Sequence, residues 1–178
     1  MRFTIAVFAT STVMLTGCMG MLGTLPETPE LMVQRVENAE SNSTKTEFEV
    51  GRPHNTVSEV LERKSQECLN RRVTIRTPVP GLIPSSNTRV EAFTSKVTRS
   101  EEQTRLTLQQ KADSVGTVNV GPTPPDGWYY LVLDAYPAGK EKTRIVAYHM
   151  TVSPYPSVVD AARQWADGTS TGCPDLSE

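Results

Sequence analysis

The chain of 178 residues contains two histidines, His54 and His149, which are the first candidates for acid–base chemistry near neutral pH. A hydrolase interpretation would pair His149 with Ser153 or Asp160, which follow it closely in the sequence. However, Ser153 precedes a proline at the end of a predicted strand, and no G-x-S-x-G turn or other nucleophile signature surrounds it. The sequence therefore favours histidines on a surface or a sheet face, and we expect a protein that is not an enzyme.

The sequence also gives no pattern for a metal site or a pair of catalytic carboxylates. The two histidines are far apart, without the H-x-x-x-H spacing or the carboxylate cluster that would complete a set of metal ligands. Glycine-rich phosphate loops are missing as well. The acidic pairs Glu47/Glu49 and Glu101/Glu102 are typical of solvated strand and turn charges. We therefore expect no catalytic residue, no metal and no cofactor.

The most specific motif is Leu15-Thr16-Gly17-Cys18, which closes a short apolar segment that follows one positive residue, Arg2. A bilayer-spanning helix needs roughly 20 apolar residues, whereas a signal-peptide core needs about 7 to 15, so the segment is too short to span a membrane. The motif resembles the lipobox of bacterial lipoproteins, in which lipid is attached to the cysteine and the chain is cleaved just before it. A buried N-terminal helix and an ordinary secretory signal are the alternatives, but no A-x-A-like cleavage site is evident near residue 18.

The resemblance implies a signal peptide at residues 1–17 and a mature chain anchored through Cys18. In that family the cysteine carries a diacylglyceryl group and a further acyl chain on its amino group. Each methylene buried in the bilayer contributes roughly 0.8 kcal/mol to membrane binding, so two or more acyl chains give a stable anchor. Met19 stands where an inner-membrane retention signal often has Asp, so we expect a place at the outer membrane, facing the periplasm. The chain looks like one of the small envelope lipoproteins of Gram-negative bacteria.

The implied location also bears on the two other cysteines, Cys68 and Cys173. An oxidising periplasm would pair them and close a loop of about 105 residues. For a loop of that length the chain-entropy model gives a stabilisation of the folded state of at most about 4 to 5 kcal/mol. A redox pair or a metal site is the alternative, but the C-x-x-C spacing is missing and no nearby His or Cys completes a tetrahedral set. We expect a structural disulfide that ties the first helix of the domain to the C-terminal tail.

Charge and length narrow the classes of function. Without residues 1–17 the chain keeps 17 basic and 20 acidic residues, a formal charge of −3. Such a balance gives no electrostatic reason to bind nucleic acid or anionic lipid. The remaining residues, about 160, are enough for one domain with its own core.

The mature chain divides into a tether and a domain. Residues 18–45 carry glycines, prolines and a polar run, which predict a flexible tether; the resemblance makes its first residue the lipidated N-terminus. Residues 46–178 predict a single α+β domain, which the resemblance places in the periplasm. Within the tether a few apolar residues are exceptions that could dock on the domain or on a partner: Leu31, Met32, Val33 and Val36.

The domain shows two kinds of hydrophobic periodicity. Helical spacing of apolar residues predicts one helix over residues 57–68 and another over 158–166, with Gly168 at the end of the second. Period-2 alternation predicts strands, of which 128–136 and 143–152 are the strongest. Further strands are predicted at 46–50, 72–76, 89–94, 104–109 and 114–120.

The order of these elements predicts an antiparallel sheet of about five to seven strands with both helices packed on one face. The arrangement is similar to the helix-grip fold of small periplasmic domains, including those of a lipoprotein component of the β-barrel assembly machinery. The resemblance covers roughly residues 46–173 and rests on element order, so it implies a fold and no function.

The last two predicted strands carry apolar residues on both faces, which two helices on one face cannot cover. If Trp128, Tyr130, Ile145 and His149 share the uncovered face, they form an amphipathic interaction patch of the sort that marks contact sites. If the sheet curls, or the tether lies across that face, the same residues belong to the core.

Two hypotheses about function follow. The first is a non-catalytic, lipid-anchored structural or accessory module of the outer membrane, which binds another envelope protein through its sheet face or its proline-rich loops. The second is a small-ligand or lipid-binding domain with a pocket between the helices and the sheet. A hollow cavity beneath Val60, Leu61 and Trp165 would favour the second, and a filled interior with an aromatic outer patch would favour the first.

Overall fold

A computed structural model describes residues 25–78, 86–112 and 124–177, except for the side chains of residues 76–78 and 86–87. Residues 1–24, with the lipobox-like motif and Cys18, and the strand predicted at 114–120 lie outside the described residues. No helix in the described ranges is long and apolar enough to cross a bilayer. The elements are α1 (Pro29–Glu37), β1 (Ser43–Val50), α2 (His54–Cys68), β2 (Arg71–Pro78), β3 (Ser86–Arg99), β4 (Thr104–Ala112), β5 (Trp128–Pro137), β6 (Thr143–Met150) and α3 (Tyr155–Asp167).

The six strands form one antiparallel sheet in the order β1-β6-β5-β4-β3-β2. Strands β2 to β6 are neighbours in chain order and form a meander. The first strand, β1, pairs with β6, so β1 and β2 are the two edge strands of the sheet. The α+β class, the strand number and the antiparallel pairing predicted from the sequence are confirmed. The structure adds a third helix, α1, which the sequence pattern did not predict.

Two neighbouring residues of β4 show which face each helix covers. Thr104 and Arg105 are adjacent in the strand and so point to opposite faces of the sheet. The Thr104 hydroxyl lies 2.6 Å from the hydroxyl of Ser58 in α2, whereas the Arg105 guanidinium lies 3.0 Å from the carboxylate of Glu30 in α1. Since α2 also packs against α3, we call the two sides the α2–α3 face and the α1 face.

The main core lies under the α2–α3 face. Val57, Leu61 and Cys68 recur along α2 at helical spacing and are fully buried, and Trp165 is their counterpart on α3. Burial of one such large apolar side chain contributes about 1.5–3 kcal/mol. Gly168 ends α3 in the left-handed conformation, with φ at 83°, as the sequence predicted. The sheet side of this core is built from Leu106, Leu108, Leu131, Leu133 and Ile145.

Within the described part of residues 18–45, helix α1 replaces the expected flexible tether, and it also corrects the expectation of helices on one face only. Its first turn is capped by Thr28, whose hydroxyl accepts a hydrogen bond from the Leu31 backbone N–H at 3.2 Å. A helix of nine residues is too short to be stable alone. It is stabilised by packing, because Met32 and Val36, one turn apart, are buried against the apolar residues of β5 and β6 on the α1 face.

The C-terminal tail is tied back to α2 and α3. Cys68 and Cys173 are joined as a disulfide with their Cα atoms 5.2 Å apart. The indole Nε1–H of Trp165 donates to the Gly172 carbonyl at 2.7 Å, and the Lys64 ammonium donates to the Thr171 carbonyl at 2.9 Å. The two cysteines that the sequence analysis paired are therefore brought together at the end of α2.

Candidate functional site

His149, the histidine with the strongest claim to chemistry, is held in place by structural hydrogen bonds. Its Nδ1 lies 2.9 Å from the Met150 carbonyl, which only accepts, so Nδ1 carries the proton. Nε2 of the neutral ring then accepts from the Thr46 hydroxyl at 3.0 Å. Burial lowers the pKa of His149 and favours this neutral form. Neither Ser153 nor Asp160 is a hydrogen-bond partner of His149 in the described structure, so the geometry does not assemble a catalytic triad.

The interaction patch predicted at Trp128, Tyr130, Ile145 and His149 does not form one exposed surface. Ile145 is 0% exposed and His149 is 4% exposed. Both lie on the α2–α3 face, because they pair across from Ala135 and Leu131, two residues of its core. The opposite face is covered by α1, so the sheet leaves no bare apolar side here. Trp128 and Tyr130 remain partly exposed at one end of the sheet.

Trp128 and Tyr130 open into a cleft of about 410 Å³ beside the first turn of α3. Arg89 and Glu91 of β3 and Tyr155 of α3 also line it. We call it the Glu91 cleft. Its volume lies within the range of about 300–1,000 Å³ that is usual for small-molecule sites.

A β-bulge directs the aromatic side chains toward this cleft. Leu131 pairs with Leu108, and Tyr129 pairs with Gln109, so Tyr130 is an extra residue in β5. Bulges re-aim side chains and are common next to functional sites. The approach to the bulge depends on Gly127, whose φ is +89° and where a Cβ would overlap the Gln110 carbonyl.

Glu91 is a buried carboxylate with only one of its oxygens paired. The side chain is 3% exposed, and Oε1 lies 2.6 Å from Nε of Arg89. Oε2 is buried without a hydrogen-bond partner among the described residues. Burial raises the pKa of Glu91, and the positive charge of Arg89 partly opposes that rise.

Tyr155 adds a second unsatisfied polar atom to the same cleft. Its ring stacks on that of Tyr130, with the ring centroids 5.0 Å apart and the planes inclined by 2°. Its hydroxyl is buried and, within the described ranges, has no hydrogen-bond partner. Burial raises the pKa of Tyr155 far above its ordinary value, so the phenol stays neutral. It can then donate or accept one hydrogen bond.

These groups are suited to holding a ligand. A buried polar atom without a partner costs about 1–3 kcal/mol, and a bound molecule that supplies the partner recovers that cost. An ionised carboxylate only accepts, so Glu91 calls for a donor. Ser153 also lines the cleft, but it is exposed. In the same ranges no group of three or more His, Cys, Asp or Glu side chains could hold a metal ion.

The sequence analysis identified Trp128 and Tyr130 but missed Arg89, Glu91 and Tyr155. One signal for Glu91 was available, since alternation along β3 places it on the same side as the buried Phe93. An acidic residue that shares a face with a core aromatic is unusual. Tyr155 gave no such signal, because it lies between two prolines after the last strand.

The pocket expected between the helices and the sheet is also displaced. Leu61 and Trp165 are fully buried within the continuous core, and neither lines the Glu91 cleft. The cleft lies instead at the end of the sheet, where α3 begins.

No protein-family model matches the chain, and no curated protein matches its sequence. Solved structures resemble it only distantly. Norcoclaurine synthase from Thalictrum flavum is 16% identical with a TM-score of 0.35, and the match covers 72% of this chain and 96% of that chain. A START superfamily protein from Mycobacterium smegmatis is 15% identical with a TM-score of 0.37, over 71% of this chain and 95% of that chain. A hypothetical protein from Helicobacter pylori is 12% identical with a TM-score of 0.39, over 82% and 94%.

Proposed function

We propose that this chain is a lipid-anchored envelope lipoprotein whose domain binds a small ligand, without catalysis, in the Glu91 cleft. The observation that carries the proposal is that two side chains lining one cleft, Glu91 and Tyr155, each have a buried polar atom without a partner in the described structure. This favours the ligand-binding hypothesis over an interaction patch on the sheet, since Ile145 is buried.

Three properties of the cleft support ligand binding. Folded proteins pair the large majority of their buried polar atoms, so two unpaired ones at the same place need an explanation. A buried carboxylate with a raised pKa in a cleft is typical of functional sites. The stacked pair of Tyr130 and Tyr155 offers a rigid apolar wall beside those polar atoms.

The lipid anchor rests on the motif that ends in Cys18. Leu25, which lines the Glu91 cleft, follows Cys18 by seven residues. A chain of that length reaches at most about 25 Å when fully extended. An anchor at Cys18 would therefore keep the cleft close to the membrane surface.

Ligand binding is tested with the mature chain from position 18, carrying Cys18→Ser so that no lipid is attached. An NMR screen would use small ring compounds, some cationic, some neutral and some anionic. We expect those that bind to shift the indole Nε1–H resonance of Trp128. Trp165 serves as an internal control, because its indole lies in the core and donates a hydrogen bond to the Gly172 carbonyl. Shifts confined to regions outside the cleft, or no binding by any compound, would contradict the proposal.

The anchor is tested in cells with the full chain. Cys18→Ser should move the protein from the membrane fraction to the soluble periplasmic fraction and abolish labelling with radioactive palmitate. The matched control is a chain in which Cys68 and Cys173 are both serine, which should keep its label. Unchanged fractionation and labelling of the Cys18→Ser chain would remove the anchor from the account.

A further inference from the structure

We infer that the Glu91 cleft recognises an organic ammonium group carried on an apolar or aromatic body. The inference rests on the proposed ligand-binding function and adds the chemical class of the ligand. The combination that points to it is a buried carboxylate with one unpaired oxygen, on a side chain that lines the same cleft as Trp128 and Tyr130.

The carboxylate of Glu91 is the first element of the site. Its partner Arg89 occupies Oε1 only, and the Arg89 side chain is 56% exposed, so water also solvates that cation. A surface-facing cation compensates a buried charge weakly. Oε2 has no donor among the described residues, so a ligand that reaches it can supply one. A positively charged donor gives a shorter hydrogen bond, roughly twice as strong as a neutral one.

The aromatic rings form the second element. Cations are attracted to ring faces, and the attraction grows when water is excluded. Trp128 and Tyr130 line the cleft that contains Glu91, and Tyr130 is fixed by stacking on Tyr155. The Tyr155 hydroxyl can accept an N–H from the same ammonium group. The charge and the ring faces therefore favour the same kind of ligand group.

The rim of the cleft defines the body of the ligand. Leu25 and Val152 both line it, and Val152 is 47% exposed. An exposed large apolar side chain at a cleft mouth favours ligands whose apolar portion covers it. The expected ligand thus has an ammonium head toward Glu91 and an apolar portion toward the mouth.

Such ammonium chemistry has two sources near an envelope membrane. One is a free amine in the periplasm, and the other is the ammonium head of a zwitterionic lipid, which the proposed anchor places within about 25 Å of the cleft. Both present the same group to Glu91. Separate arms of the experiment distinguish them.

The test compares three phenyl compounds of similar size whose polar groups are cationic, neutral and anionic: benzylamine, benzyl alcohol and benzoate. Binding to the Cys18→Ser mature chain is measured by calorimetry and by the Trp128 indole resonance. We expect benzylamine to bind at least about tenfold more tightly than benzyl alcohol, and benzoate to bind most weakly. In Glu91→Gln the benzylamine affinity should fall to that of benzyl alcohol. The control Glu47→Gln makes the same change on an exposed strand position and should leave all three affinities unaltered.

The outcomes separate the inference from the function on which it rests. Equal binding of benzylamine and benzyl alcohol at the Trp128 resonance, or a preference for benzoate through Arg89, overturns the ammonium inference and leaves a ligand-binding cleft. No shift of that resonance by any of the three compounds overturns the inference, and failure of the wider screen overturns the function as well. The wild-type series alone decides this if Glu91→Gln does not fold.

The second arm uses vesicles of phosphatidylglycerol, either alone or mixed with phosphatidylethanolamine. If a lipid head is the source, the chain sediments with the mixed vesicles and benzylamine releases it. If a free amine is the source, benzylamine binds and the chain stays in solution with both kinds of vesicle. Either result, together with the charge preference, supports the inference. Sedimentation of the chain with vesicles of pure phosphatidylglycerol contradicts it, because those vesicles carry no ammonium group.

Discussion

Two buried carboxylates on opposite faces of the sheet have similar neighbours but different degrees of pairing. On the α1 face, Asp134 is 2% exposed and accepts two hydrogen bonds from one guanidinium, since Arg105 Nε and Nη2 lie 2.7 and 2.8 Å from its oxygens. The Tyr136 hydroxyl donates to the same carboxylate at 3.3 Å, and Gln103 Nε2 donates to Tyr136 at 3.3 Å. We call this group the Asp134 clasp.

On the α2–α3 face, Glu91 has an arginine and tyrosines nearby but lacks the completed network. Arg89 makes one contact with Oε1, and neither Oε2 nor the Tyr155 hydroxyl is paired in the described structure. The comparison separates two roles for the same residue types. A fully paired network rigidifies the fold, whereas an incomplete one costs stability. Under the proposed function, a bound ligand completes the network at Glu91.

The clasp also shows how α1 is held. Arg105 joins Asp134 to Glu30 of α1, beside the apolar contacts of Met32 and Val36. The structural carboxylate thus fastens the segment that leads to the proposed anchor. Leu25 of the same segment lines the Glu91 cleft.

The largest expected effect is on the clasp. Asp134→Asn should lower the free energy of unfolding by about 3 kcal/mol, because it leaves Arg105 without its buried counter-charge. Urea denaturation followed by circular dichroism measures the change. A loss below about 0.5 kcal/mol would show that the clasp is not structural and would erase the contrast with the cleft.

The matched change in the cleft should have a smaller effect of opposite sign. Glu91→Gln should leave stability unchanged or raise it by about 1 kcal/mol at pH 7, because a neutral amide costs less to bury than a half-paired carboxylate. Burial raises the pKa of Glu91 in the folded state, so the wild-type protein loses stability as pH rises from the ordinary glutamate pKa through the folded one. The variant lacks this loss. A loss of several kcal/mol in Glu91→Gln would mean that Glu91 is paired as Asp134 is.

The smallest effects concern the two tyrosine hydroxyls. Tyr136→Phe should cost about 1 kcal/mol, because it removes a hydrogen bond to Asp134. Tyr155→Phe should cost nothing or stabilise slightly, since it removes a buried hydroxyl that has no partner in the described structure. The melting temperatures of the two variants and of the wild-type protein, measured at one pH, show how much stability each hydroxyl contributes. Equal losses in both variants would show that Tyr155 is satisfied in the unliganded protein.

The fold follows from periodicity to a large extent. Alternation over residues 128–136 and 143–152 corresponds to β5 and β6, and helical spacing corresponds to α2 and α3. Such patterns are local and repeat over many residues, so one sequence suffices to detect them. Helix α1 was missed because it is short and its stability comes from packing on β5 and β6 rather than from its own sequence.

The site could be predicted only in part, because its properties arise from distant residues. Glu91 and Tyr155 are 64 positions apart and meet only when α3 packs on the sheet. The extra residue at Tyr130 depends on the register between β4 and β5, which alternation alone does not give. Burial of one carboxylate oxygen is a property of the packed molecule, so the sequence indicated the aromatic residues and not the charge between them.

The central claim is that Glu91 is a buried carboxylate that awaits a cationic partner. An NMR titration of its side-chain carboxyl carbon, with and without benzylamine, tests this most directly. The account predicts a pKa above that of an ordinary glutamate in the free protein and a clear fall when benzylamine is bound, since the ammonium stabilises the ionised form. An ordinary pKa that benzylamine leaves unchanged would contradict it.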